Sequence, residues 1–241
     1  KQRFAAIVSQ QILFESNADN FQLVYGTLSS QQYPLYLSRF NFYSGVSVTI
    51  IDTLKKYQDN RLFFYCSPAK AQTKAGMTDD DWDAYLGVDP SRVYSEILDL
   101  YTADSISNIN SRFFEIDNCQ PTIQMGYAEL NFVLAEACLR GWIDGDANSY
   151  YHKGIEASMN FAADYTPLAY RHNREITDDY IQSFLDKPEL QLGAKESTFE
   201  NDLNKVLTQK YLDLFMHNTY TCYYDFRRTG YPKLPVNPST N

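Results

Sequence analysis

The sequence has no run of about 18 apolar residues, the length a bilayer-crossing helix requires, so no segment of it spans a membrane as a helix. It has no cluster of Lys and Arg either: 21 basic residues stand against 30 acidic ones, a net charge of −9. A surface that tracks phosphates needs the opposite balance, which argues against a nucleic-acid partner. Cys66, Cys119, Cys138 and Cys222 are far apart, with no CxxC pair and no neighbouring His. Structural zinc is therefore disfavoured, and a disulfide framework would be sparse for 241 residues. GxSxG, HExxH, GxGxxG and Walker sequences are all missing, and His152, His172 and His217 stand beside no evident nucleophile. The chain reads as a non-enzyme. The 30 acidic residues still leave room for a glycosidase's carboxylate pair, which is the enzymatic alternative.

What the sequence does have is aromatic surface: 20 Tyr and 15 Phe against 2 Trp. Tyrosine tolerates a boundary with water because its ring can pack while its hydroxyl stays hydrogen-bonded. At 241 residues the chain is long enough for one large core or two small ones. Lys1 leads directly into Phe4, Ala5, Ile7 and Val8, a helical pattern already under way with no initiator Met or signal segment. That opening predicts a piece of a longer protein.

Residues 126–163 organise the rest. In the first half, Glu129, Glu136 and Arg140 form a narrow polar stripe at helical period, and Tyr127, Leu130, Phe132, Leu134, Ala135 and Leu139 stand around it. A helix so apolar must be covered on several sides. Gly141 suits a left-handed helix end, and Asp144 or Asp146 can cap the next helix. That helix offers Tyr150, Tyr151, Ile155, Met159 and Phe161, with Gly154 as a point of close approach. The pair has the length of one tetratricopeptide hairpin.

Elsewhere the pattern predicts a helix over 1–14, a turn over 16–20, a short strand near 46–50 and a short helix over 51–57. Residues 66–121 are the least regular. There, Asp79, Asp81 and Asp83 have the spacing of a calcium loop, but Ala84 and Pro90 occupy the Gly and Glu positions. The segment reads instead as a capping box, Thr78 with Asp81, ahead of a short helix that places Trp82 and Tyr85 on one face. No cofactor is expected, although a cation near those aspartates stays open. A second capping box, Ser197 with Glu200, opens an amphipathic helix through Phe199, Leu203, Val206, Leu207, Tyr211 and Leu214, a third wall for the hairpin. Residues 220–235 are expected to be non-helical, because Gly230, Pro232 and Pro235 crowd their end.

These residues resemble the SusD/RagB family, outer-membrane nutrient-binding lipoproteins of Bacteroidetes. The resemblance is carried by Tyr127-Ala128-Glu129-Leu130, Ala135-Glu136-Ala137, Gly141-Trp142, Tyr150-Tyr151 with Gly154-Ile155, and Phe226-Arg227-Arg228-Thr229-Gly230-Tyr231-Pro232. Asp59-Asn60-Arg61-Leu62 and Tyr85-Leu86-Gly87-Val88 add weaker matches. It covers most of the chain and corresponds to the C-terminal half of such a protein. It implies a mostly α fold, an α/α superhelix of tetratricopeptide-like hairpins packed with a loop-rich irregular region. Residues 1–125 would be the loop-rich part with the ligand face, and 126–241 the hairpin, long helix and tail, all within one continuous domain. The implied activity is capture of an oligosaccharide or polysaccharide at the cell surface and its delivery to a SusC-like TonB-dependent transporter. The lipid anchor would lie outside this chain. A helical-repeat scaffold for protein or peptide ligands is the other alternative.

The matching motifs are scaffold, so they bring no ligand residues with them. A sugar site needs flat aromatic faces and planar polar side chains on loops held by a rigid frame. Trp82, Tyr85, Tyr36, Asn41 and Phe42 fit that description. Arg227 or Arg228 is expected to pair with Glu129 or Glu136 and fix the tail to the hairpin.

Overall fold

The computed structural model describes residues 1–10 and 12–237; the side chains of Asn41, Phe42 and Thr219 also lie outside the described set. Along the chain run the α-helices α1 (Gln2–Val8), α2 (Val48–Tyr57), α3 (Arg61–Tyr65), α4 (Lys70–Lys74), α5 (Tyr94–Thr102) and α6 (Arg112–Glu115). They are followed by α7 (Tyr127–Leu139), α8 (Ala147–Tyr165), α9 (Asp178–Leu185), α10 (Phe199–Asp213) and α11 (Thr219–Thr229). Two short strands, β1 (Phe21–Leu23) and β2 (Thr122–Met125), pair antiparallel. The fold is mostly α-helical, and among the described residues no helix is long and apolar enough to cross a membrane.

The chain gathers into two compact units. The first holds Lys1–Leu23, Thr122–Phe161 and Thr177–Pro232. Its centre is α7, where Ala128, Phe132, Leu134, Ala135 and Ala137 are buried. Gly141 ends the turn after α7 at φ +59°, and Asp146 accepts the Asn148 N–H at the start of α8 (3.0 Å). A Cβ on Gly154 would stand 2.7 Å from the Phe132 ring, so glycine is what lets α8 close on α7. Helix α10 lays Leu203, Val206 and Leu207 against the other side of α7, the third wall its apolar circumference demands. The cap of α10 is Thr198, whose hydroxyl accepts the Asn201 N–H; the Ser197 hydroxyl bonds the buried Asp202 instead.

Three local expectations change. Residues 220–235 are helical through Thr229, because the glycine and prolines all fall at Gly230 or later and terminate α11 without interrupting it. Helix α1 stops at Val8 and buries none of its residues, so the apolar residues 12–14 lie beyond it. Val48 belongs to α2, capped by Ser47, and the strand expected near 46–50 is reduced to isolated bridges at Gly45 and Ser47.

The second unit holds Val24–Pro121, Ala162–Ile176 and Lys233–Asn241. All five residues of α3 are buried, Arg61 among them. Asp59, equally buried, accepts from its guanidinium at 2.6 Å, the pairing that a buried cation needs. Arg112 is likewise enclosed, donating to Gln120 Oε1 (2.7 Å) and the Tyr165 carbonyl while its plane lies on Phe113. Around these buried cations the chain makes an irregular weave. Val46 donates to Ser107, Ser107 to Leu86, Val88 to Val46, Ile109 to Ser44 and Ser67 to Asn108, each through backbone groups. The irregularity is local; the hydrogen bonding is continuous.

Candidate functional site

Trp82 and Tyr85 are brought together on α3. Both rings meet Phe63 edge-on, at 4.7 and 5.1 Å. Asp81, not Thr78, caps the single turn Trp82–Ala84, and the Thr78 hydroxyl donates to Asp80. Tyr85 is fully buried, its hydroxyl donating to the Asp79 carbonyl at 2.7 Å, and burial pushes that phenol well above its usual range. Its ring belongs to the core. Trp82 is half-buried, with the Arg174 guanidinium over its face at 5.6 Å and held there by the Asp80 carbonyl. One side of the indole thus meets Phe63 edge-on and one face carries a cation. Of the nearby aspartates, Asp81 serves as cap and Asp83 meets Lys55 at 3.2 Å. Among the described residues no group of three metal-ligating side chains occurs.

Tyr36 lies in a separate turn, half-buried, its N–H given to the Tyr33 carbonyl. The side chains of Asn41 and Phe42 lie outside the described residues.

Two open clefts of this unit lie elsewhere among the described residues. One cleft of about 210 Å³ is lined by Tyr43, Lys70, Tyr101, Thr102, Asp104 and Asn108. A second, of about 450 Å³, is lined by Leu37, Ser38, Ser67, Pro68, Phe114 and Glu115, and again by Lys70 and Asn108. Tyr43 is 59% exposed and stands edge-on to Tyr101 with ring centres 5.4 Å apart. The Tyr101 hydroxyl accepts the Gly45 N–H at 2.8 Å, and a Cβ at Gly45 would stand 2.6 Å from that oxygen. Glycine there is what lets Tyr101 brace the exposed ring.

Lys70 is fixed by its backbone surroundings. Ala69 donates to the Ala84 carbonyl and Ala71 to the Asp104 carbonyl, which pins the start of α4 between two loops. Its ammonium makes no salt bridge among the described residues. Asp104 is taken by Lys74 at 2.6 Å, a hydrogen bond that holds its carboxyl below the usual carboxylate range. The Glu115 carboxylate accepts from the Tyr170 hydroxyl at 2.9 Å. Asn108 Oδ1 is shielded from solvent and no described group donates to it. Leu37, at the rim of the larger cleft, has φ +54°, a backbone strain that tends to collect at functional surfaces. An exposed tyrosine ring, several hydroxyls, an amide and an ammonium without a salt bridge among the described residues are the chemistry of a polyol site, with apolar walls and a few directed polar groups.

Tyr43, Tyr101, Lys70 and Asn108 are not singled out by sequence reasoning. Tyr43 sits one residue beyond Phe42, inside the aromatic run; a turn that exposes it was the available signal. Lys70 and Asn108 carry none, because they come to line the same clefts only through the folding of the intervening residues, α4 and α5 among them.

In the helical unit, Arg228 reaches Glu136 with both of its terminal nitrogens, Nη2 at 2.8 Å from Oε2. Lys210 lies between Glu129 (3.4 Å) and Asp225 (3.0 Å). Arg227 stays exposed near Tyr223. Tyr127 donates its N–H to Asn20 Oδ1 at 2.7 Å. An apolar cleft of about 490 Å³ opens between Phe14, Met125, Leu130 and Val133, with few polar groups beyond Glu129 and Gln124.

Known proteins bear on this arrangement. A SusD homologue from Bacteroides fragilis NCTC 9343 is 44% identical, with a TM-score of 0.94 over 100% of this chain and 51% of its own. An outer-membrane protein from Bacteroides vulgatus ATCC 8482, described as probably involved in nutrient binding, is 29% identical (TM-score 0.87, 100% of this chain, 52% of its own). A second SusD homologue from Bacteroides fragilis NCTC 9343 is 32% identical (TM-score 0.84, 99% and 51%). The chain thus spans about half the length of the solved relatives it matches. No curated protein matches it. The SusD-like family profile, described as starch-binding and associating with the outer membrane, matches residues 1–241. The chain belongs to the SusD-like family.

Proposed function

We propose that this chain is the carbohydrate-binding part of a SusD-like protein of the outer membrane, which captures a glycan at the cell surface and passes it to a SusC-like TonB-dependent transporter. The whole protein would be held there by a lipid anchor. The observation that supports the reading best is the braced Tyr43 ring at the mouth of a polar cleft. The cleft lies in residues 37–115, within the 1–125 region proposed to hold the ligand face. Family membership supports carbohydrate over a protein or peptide ligand.

Binding without hydrolysis fits the carboxylates on these walls. A glycosidase needs one carboxyl to donate a proton and a second to act as base or nucleophile. Asp104 is held ionised by Lys74, so it is not set up as the acid, and the Glu115 carboxylate is engaged by the Tyr170 hydroxyl.

The test is affinity electrophoresis through gels containing starch, xylan, chitin derivatives or mucin, with Tyr43→Ala alongside. Retardation by one glycan, with no reducing sugar released and weaker retardation of the variant, supports the reading. Retardation equal in both proteins removes the cleft from it, and sugar release removes the non-catalytic assignment.

A further inference from the structure

We propose that a polar cleft of the helical unit binds a free α-amino acid as its zwitterion, with Lys153 meeting the carboxylate and Glu156 the ammonium. It shares no residue with the glycan clefts, and its occupant is independent of theirs.

The cleft, of about 370 Å³, is walled by the turn at Ser16 and Asn17, the start of α7 and the middle of α8. Small-molecule sites typically occupy about 300–1,000 Å³. Along α8, Lys153, Glu156, Ala157 and Asn160 follow at i, i+3, i+4 and i+7, so they make one stripe. Ala157 is buried at the centre of that stripe, and its small side chain leaves the recess open. Two asparagines fasten the facing turn. Asn17 donates through Nδ2 to the Ala157 carbonyl at 2.9 Å, and Asn20 Oδ1 accepts the Tyr127 N–H at 2.7 Å. Ser16 and Asp19 close the turn on itself as a reciprocal capping box. The frame is therefore built without help from a ligand, which spares binding the cost of ordering it.

Inside this frame the polar heads are uncommitted. Among the described residues no hydrogen bond or ion pair engages the side chains of Glu156, Asn160 or Tyr127. The Lys153 ammonium has the Tyr150 ring alone, 5.9 Å from its centre and at the limit of cation–π reach. Lys153 and Glu156 do not pair with each other, and Lys ahead of Glu is the less favourable order on a helix. A ligand of one charge would answer one of them and leave the other facing nothing; an uncharged sugar would answer neither. An α-amino acid carries both charges on adjoining groups, and it fits two opposite side chains whose Cβ atoms stand about 5–6 Å apart. The Asn160 amide, one turn beyond Glu156, can accept a further hydrogen of the ligand ammonium. Tyr127 adds an aromatic wall for the ligand's side chain.

Isothermal titration of the 241-residue chain with glycine, leucine and phenylalanine, and with phenethylamine and 3-phenylpropionate, tests this. Phenethylamine lacks the carboxylate of phenylalanine, and 3-phenylpropionate lacks its ammonium. Phenylalanine is expected to bind about fivefold or more tightly than either, the factor an ion pair at the solvent edge supplies. Lys153→Met should erase its advantage over phenethylamine and keep that over 3-phenylpropionate. Glu156→Gln should do the reverse. Absence of binding by all three amino acids overturns the site. Phenylalanine bound no better than its one-charge analogues overturns it too, as does an advantage that survives both substitutions. None of these results bears on the glycan reading, which the gels test separately.

Discussion

Arg228 grips Glu136 across 92 residues of sequence, both terminal nitrogens of the guanidinium meeting the carboxylate. Arg140 donates to the same carboxylate at 2.6 Å, and Asp225 accepts from Arg228 at 2.8 Å. This cluster ties the last helix to α7. Arg228 is 43% exposed, so its worth is below that of a fully buried pair. Arg228→Ala should cost about 2 kcal/mol in urea unfolding. A double-mutant cycle with Glu136→Ala should return a coupling of about 1 kcal/mol or more. Zero coupling would reduce the contact to packing.

The same carboxylate sets a pH dependence. Burial pushes Glu136 up, but the hydrogen bonds from Arg228 and Arg140 outweigh it and hold the carboxyl below the ordinary glutamate value of 4.5. The unfolded chain therefore takes up its proton first as pH falls. The contribution is complete above about pH 4.5 and is lost as pH drops through the lower folded value. Glu136→Gln should thus be more destabilising at pH 7 than at pH 3. An equal cost at both would assign Glu136 a role of shape alone.

Lys210 is only 7% exposed, and its pKa balance has the same structure with opposite sign. Burial pulls the ammonium down, while Asp225 and Glu129 more than compensate and leave it raised. Lys210→Met should cost about 3 kcal/mol, because two carboxylates then lose their buried cation. Lys210→Met combined with Glu129→Gln should recover part of that loss. Thermal unfolding of the three proteins decides it.

How much of this was legible in the sequence follows from how far apart the partners are. The α7–α8 hairpin was readable because its apolar period, Gly141 and Gly154 all act within 30 residues. The Glu136–Arg228 pair was readable as types, a charge on an apolar helix needing an opposite charge. The tail helix was missed because prolines were weighed by density and not by position: every one lies after Gly230. The clefts were least legible. Lys70 and Asn108 are held near the same clefts by backbone bonds from Ala69 to Ala84, Ala71 to Asp104 and Ser67 to Asn108, which leave no pattern in side-chain type. Tyr85 shares a face with Trp82 as expected, and that face is the one packed on Phe63.

Gly45 links the frame of the smaller cleft to its binding face. Gly45→Ala places a methyl against the Tyr101 hydroxyl and must displace that ring, which braces Tyr43. Overpacking of this kind costs about 1–3 kcal/mol. Tyr101→Phe removes only the acceptor of the Gly45 N–H, about 1 kcal/mol. Both should weaken glycan retardation, Gly45→Ala more. A stability loss with retardation intact would separate the brace from binding.

Trp82 and Tyr43 make opposite predictions on the two readouts. Trp82 meets Phe63 edge-on and carries Arg174 over its ring, so Trp82→Ala opens a gap beside α3 and leaves the Arg174 guanidinium with the Phe63 ring alone. That should cost about 3 kcal/mol of stability, the low end for a large aromatic because Trp82 is only half-buried. Binding should change little. Tyr43→Ala removes a ring that is 59% exposed and should cost under about 1 kcal/mol of stability. Its effect on glycan affinity should be about tenfold or more, since aromatic platforms carry much of the energy at such surfaces. Denaturation and titration on the same two proteins read both quantities. The reverse result, with Trp82→Ala stable but unable to bind, would move the glycan site from the Tyr43 cleft to the Trp82 turn.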